Sequence, residues 1–284
     1  MAFKKIRFVT DSTCDIPTDL VQMHKIGVVP CFVNYGGSSY ADDGVHLIRD
    51  EYYKQLPTIR PVPKTSAFPP GMVEPVLEEA LRESEHVVIL CVPSKLSGVY
   101  NAFRLGASNF PQDKITLIDS GQVAMGLGWQ VLLGVETAEA TGDLDKVIDA
   151  IQRVRAHQRV YAALDTLEYL KHSGRVGWAS ASIGALLQIK PILDVREGEV
   201  KSHARVRTFK RAFDELISLA HEQAPLDRLA VMHADNEKGA LELKQALSDI
   251  APENTLIVNI TPTIGTHIGP GGLGIATVSQ AWRT

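Results

Sequence analysis

The sequence predicts an α/β protein with a mainly parallel sheet and helices packed on it. Three observations carry that expectation. Short β-branched runs recur along the chain, segments with helical spacing separate them, and polar loops follow several of the runs. In open α/β sheets ligands bind where strands end in such loops, so the loops are where chemistry is sought.

Taken in order, Ile6–Thr10, Val28–Val33, Val87–Val92 and Ile115–Ile118 read as strands in the first half. Val160–Leu164, Leu229–His233 and Thr255–Ile260 read as strands in the second. Gly71–Arg82 has helical periodicity: Met72, Val73, Val76, Leu77 and Leu81 share one face and acids occupy the other. Pro69 and Pro70 stand at its mouth, a helix-start signal. Near Ala156–Arg159 a long charged helix gives way to a new strand. A domain boundary is placed there, giving domains 1–157 and 158–284.

Bulk properties narrow the function. Hydrophobic residues make up 45% and charged residues 22%, a balance that supports a buried core rather than disorder. A net charge of −4 disfavours sequence-independent nucleic-acid binding, which needs a basic surplus against phosphates. No apolar run approaches the ~20 residues that span a bilayer, and the N-terminus does not read as a signal peptide. Cys14, Cys31 and Cys91 lie far apart with no C-x-x-C pair, so neither a disulfide framework nor a zinc site is expected. The expectation is a cytoplasmic protein with no metal.

Four polar clusters and one apolar stretch are candidates. Thr10-Asp11-Ser12-Thr13 follows the first strand and either orients a ligand or caps the next turn. Lys64-Thr65-Ser66 precedes a helix start, where hydroxyls and free N–H groups suit an anion or form a plain cap. Pro93-Ser94-Lys95-Leu96-Ser97-Gly98 follows an apolar strand and suits an oxyanion, yet it is neither G-x-S-x-G nor a P-loop. His267 sits in Ile264–Gly274, where five of eleven residues are glycine and the backbone approaches something closely. Val176–Leu193 is rich in small and apolar residues, and reads as a core helix or as a cavity wall.

Together these segments resemble the DegV family of bacterial fatty-acid-binding proteins. The resemblance runs through Val9-Thr10-Asp11-Ser12, Lys64-Thr65-Ser66, Ser94–Tyr100, Leu167–Leu170, Ser173-Gly174-Arg175, Ile189–Leu193, Val206-Arg207-Thr208 and His267–Gly271. It implies two α/β domains of related topology, with the final strand crossing back to the first domain. It also implies a long-chain fatty acid such as palmitate, stearate or oleate between the domains. Its carboxylate would be held by Thr65, Ser66, Ser94 or Ser97 with Gly98, and His267. Arg175 and Arg207 match exposed arginines that meet a separate fatty acid kinase and the acyl-phosphate. The family's role is carrier, not catalyst, and the bound fatty acid stands where a cofactor would. A transient membrane surface is a further expected partner, and nucleic acid is not. Two departures stand out: Ala67-Phe68-Pro69 replaces the usual Gln-Pro-Ser, and Val99 replaces a usual threonine.

Two rivals follow from the residues alone. Hydroxyl loops also suit phosphate, so a small-molecule phosphotransferase is one; a missing P-loop and no Mg²⁺-ligand cluster weigh against it. A protein-interaction module is the other, and it requires a large exposed apolar patch.

Overall fold

The structure is a computed structural model describing residues 5–174 and 189–284. Arg175 and most of the apolar stretch Val176–Leu193 lie outside the described residues.

The first half runs β1 (Ile6–Asp11), α1 (Thr18–Met23), β2 (Gly27–Val29), β3 (Phe32–Tyr35), β4 (Ser38–Ala41), α2 (Arg49–Gln55), β5 (Lys64–Ser66), α3 (Val73–Arg82), β6 (His86–Cys91), α4 (Val99–Gly106), β7 (Ile115–Asp119), α5 (Met125–Thr141) and α6 (Leu144–His157). Among the described residues, β2-β1-β6-β7 form a wholly parallel sheet. Its inner strand β6 is buried at every position, which is why it reads as an unbroken apolar run. Alternate residues serve opposite faces: Val87, Ile89 and Cys91 join a core with α3 and α4. Val88 and Leu90 pack in the core that holds α5.

The second half runs β8 (Gln158–Ala163), α7 (Glu168–His172), β9 (Lys190–Arg196), β10 (Glu199–Val206), α8 (Phe209–His221), β11 (Leu226–His233), α9 (Glu237–Ala246), β12 (Leu256–Asn259), α10 (Pro262–Ile268) and β13 (Leu273–Ser279). Its sheet has the order β10-β9-β8-β13-β11-β12. Helix α5 lies between the two sheets, touching β1 and β6 on one side and β8, β11 and β13 on the other. Glycines permit the close approach: a Cβ at Gly134 would press on Phe8 of β1, and one at Gly126 on Val160 of β8. Apolar on nearly all sides as far as Val135, α5 is buried over most of its length.

The two-domain α/β class holds, and the structure corrects it in detail. The parallel arrangement is confined to the first sheet and to the β11–β12 pair; the other pairings of the second sheet are antiparallel. The reason is local. Glu197 and Gly198, both at positive φ, form a two-residue hairpin turn between β9 and β10, whereas a parallel neighbour needs a long crossover. The final strand does not cross to the first domain. Positive φ at Gly269 and Gly271 turns the chain back, and β13 inserts between β8 and β11. Val28–Val33 is two strands in two sheets, interrupted at Pro30, whose missing N–H breaks a ladder. Lys64–Ser66 forms the edge strand β5 of a small antiparallel sheet β4-β3-β5, not the mouth of a helix.

Candidate functional site

A cavity of about 350 Å³ lies between the two sheets. Its wall is largely aliphatic: Val160, Ala162, Leu193, Val195 and Met232 come from the second sheet, and Ile264 and Ile268 from α10. At one corner hydroxyl groups and an imidazole gather. Thr65, Ser66, Ser97, Gly98 and His267 all line the cavity.

Each is positioned by its element. Pairing of β5 with β3 sets Thr65 opposite Val33 and Ser66 opposite Phe32. Thr65 Oγ1 and His267 Nε2 share a hydrogen bond at 2.8 Å. Ser66 Oγ accepts from Asn34 Nδ2 at 3.1 Å, and its own proton stays available. Ser97 Oγ accepts the Val99 N–H at 3.4 Å, again leaving the hydroxyl proton for a ligand. Gly98 needs no special conformation, and a Cβ there would only touch Ala67 at 3.9 Å.

Ser94 is not brought to this corner. Its backbone N–H and its hydroxyl both donate to Asp119 Oδ2, at 2.9 and 2.7 Å, tying the loop after β6 to the end of β7. Arg207 is exposed just past β10, away from the residues that line the cavity.

In the first polar cluster Thr13 lines the cavity, and Asp11 does structural work. Asp11 is fully buried; one oxygen accepts from Thr13 N and Oγ1 and the other from Val92 N. It caps the turn after β1 and pins β1 to the loop after β6. Burial raises its carboxyl pKa, against the pull of these hydrogen bonds.

Helix α10, which carries His267, is held at its start by acids from distant sequence. Asp15 accepts the Thr261 N–H at 2.6 Å, and Asp42 accepts the Thr263 N–H at 2.8 Å. These carboxylates satisfy N–H groups a helix start leaves unpaired. Arg49 donates to the Asn259 carbonyl, Tyr53 OH to that of Ile260 at 3.1 Å, and Tyr52 OH pairs with Thr266 Oγ1 at 2.6 Å. Burial pushes Asp15 up to about 7, partly offset by Arg49. Burial likewise pushes Asp42 up to about 6, against its hydrogen bonds to Thr263.

Two further polar residues, His233 and Thr263, line the cavity; His233 opens one of the polar loops that follow strands, where chemistry is sought, and Thr263 did not stand out by motif. The signal for His233 was its place as the last residue of a strand before a polar loop. Cys31 also lines the cavity, but burial drives its thiol pKa well upward, so thiolate chemistry is disfavoured there. No group of three or more His, Cys, Asp or Glu among the described residues could hold a metal.

With this geometry in place, comparison with known proteins is direct. The family model described as "Uncharacterised protein, DegV family" matches residues 5–280. The chain belongs to the DegV family. A DegV domain-containing protein from Deinococcus radiodurans is 31% identical over 277 residues, covering 95% of this chain and 97% of that one. A second, from Clostridium perfringens, is 31% identical over 283 residues, covering 97% and 99%. Among solved structures, a DegV family protein from Thermus thermophilus described by its fatty acid binding is similar with a TM-score of 0.89. It is 32% identical, and the match covers 97% of this chain and 99% of that one. DegV of Bacillus subtilis, described as a fatty acid binding protein, matches with a TM-score of 0.86 at 27% identity, covering 98% and 100%. These DegV structures are described by what they bind and not by a reaction. No helix among the described residues is long and apolar enough to cross a membrane.

Proposed function

We propose that this DegV protein binds one long-chain fatty acid in the cavity between its sheets. The carboxylate is held by Thr65, Ser66, Ser97 and His267. One observation carries the reading: a predominantly aliphatic cavity with Thr65, Ser66, Ser97 and His267 collected at one corner. Each methylene buried there contributes roughly 0.8 kcal/mol, so a long acyl chain supplies the affinity. A carboxylate is costly to bury without donors, and the corner provides them. Of the two serines left open by sequence, Ser97 is assigned to the ligand because Ser94 is engaged with Asp119. A phosphotransferase fits less well, since a phosphorylated metabolite leaves the aliphatic wall unexplained.

In the same reading the protein is a cytoplasmic carrier, with the chain dividing at 157/158. It presents the bound acid to a fatty acid kinase, and exposed Arg207 faces that partner. Arg175 is assigned the same role on the resemblance alone. Palmitate, stearate and oleate are the ligands to test, and a membrane surface is where they are exchanged. Solvent extraction and mass spectrometry of purified protein should recover fatty acid at about one per chain. A chain expressed with ample lipid that yields none would sink the proposal.

A further inference from the structure

The cavity has a second polar station that the carboxylate corner does not use. His233 ends β11, is 6% exposed and lines the cavity. Its Nδ1 accepts the Asn236 backbone N–H at 3.1 Å. In a neutral ring the proton is then on Nε2. Burial lowers the imidazole pKa from its ordinary value, which favours that neutral donor form. Among the described residues the ring's hydrogen-bond partner is Asn236, and none of them accepts from Nε2–H. Met232, Ala234, Ile260 and Leu273 are its apolar neighbours on the cavity wall, and the charges of Glu237, Asp235, Arg49 and Asp50 act on the ring from the other elements around it.

The position of this station relative to the first follows from α10. Ile260 N donates to the His233 carbonyl at 2.8 Å, which puts His233 beside the start of α10, while His267 lies in its last turn. At 1.5 Å of rise per residue the start of α10 at Pro262 and His267 are about 8 Å apart along the helix axis, and His233 lies just beyond that start. That is a span of several methylene groups.

We propose that His233 is a specificity-determining residue: it selects acyl chains bearing a hydroxyl or keto oxygen several carbons from the carboxylate. The oxygen accepts from Nε2–H, which an unsubstituted chain leaves buried without a partner. This inference rests on the fatty-acid reading above and deepens it to an oxygenated subclass.

The test is displacement of a fluorescent fatty acid from the full chain by palmitate and by its mono-hydroxy and mono-oxo positional isomers. One isomer should compete about fivefold better than palmitate, the value of one neutral hydrogen bond. His233→Leu should reverse that order. His233→Gln, which keeps both an acceptor for the Asn236 N–H and a donor for the cavity, should retain it. If H233L folds poorly, His233→Met against His233→Gln gives the same contrast, because Met fills volume without a donor. Palmitate binding with no preferred isomer, or a preference that survives in H233L and H233M, overturns the assignment and leaves the fatty-acid reading intact. Loss of palmitate binding in H233L, with Thr65→Ala unaffected, also overturns it, since the carboxylate would then sit at His233. If neither palmitate nor any isomer displaces the probe, the fatty-acid reading falls and this inference with it.

Discussion

Helix α10 joins two polar clusters of opposite character. At its start, Asp15 and Asp42 are buried and each gives one carboxyl oxygen to a backbone N–H group. At its end, His267 meets Thr65 on the cavity wall. The first cluster bonds the protein's own backbone, and the second faces the cavity proposed to hold the carboxylate. The difference teaches that burial alone does not sort polar residues: what separates the two clusters is whether the side chain faces the cavity, since Ser97 and His233 bond backbone N–H groups and still line it.

Substitutions can break that contrast, and the largest effect belongs to the scaffold. Asp15→Leu or Asp42→Leu leaves a buried N–H unpaired and removes one of the two buried acids beside Arg49. Each should cost about 3 kcal/mol of folding stability, read by urea unfolding. A loss below 1 kcal/mol would remove the clamp from the account. At the other end of α10 the pattern should invert. Thr65→Ala and Ser97→Ala should each weaken fatty-acid binding about tenfold, a loss of ~1.4 kcal/mol, with little change in the unfolding midpoint. Ser94→Ala serves as the control, because its hydroxyl is held by Asp119. Affinity there should stay within about twofold, and an effect as large as that of S97A would reassign the corner.

The acids also predict a pH dependence. Both carboxyls titrate higher in the folded chain than their ordinary 3.8, Asp15 at about 7 and Asp42 at about 6. Between those limits the folded chain holds protons that the unfolded chain has released. Their contribution is therefore complete below about pH 4 and is lost as pH rises through 6 and 7. Asp15→Asn should flatten the upper part of that slope in stability measured from pH 5 to 8. Thr65→Ala should leave the slope as it is.

Much of the scaffold was legible because its signals are local. The unbroken apolar run of β6 and the proline-marked start before α3 depend on neighbours in sequence. So does the hydroxyl content of Lys64–Ser66 and Ser94–Gly98. What escaped was pairing. Thr65 meets His267 across 202 positions and Asp15 meets Thr261 across 246, and no periodicity reports such partners. Strand direction escaped for a related reason: an apolar run looks the same in parallel and antiparallel ladders. The Glu197-Gly198 turn was the one local clue to the antiparallel β9–β10 hairpin. Ser94 and Ser97 could not be separated by motif, because only the position of Asp119 at the end of β7 distinguishes them.

The placement of β13 has a consequence for synthesis. It occupies an inner position between β8 and β11, yet the ribosome makes it after both. Until it emerges, β8 with its antiparallel neighbours and β11 with β12 each present an open strand edge, a hazard in growing chains. The same late segment supplies Gly272, Leu273 and Gly274 to the cavity wall. A nascent chain thus lacks one side of the cavity, and the enclosed cavity belongs to the finished polypeptide alone.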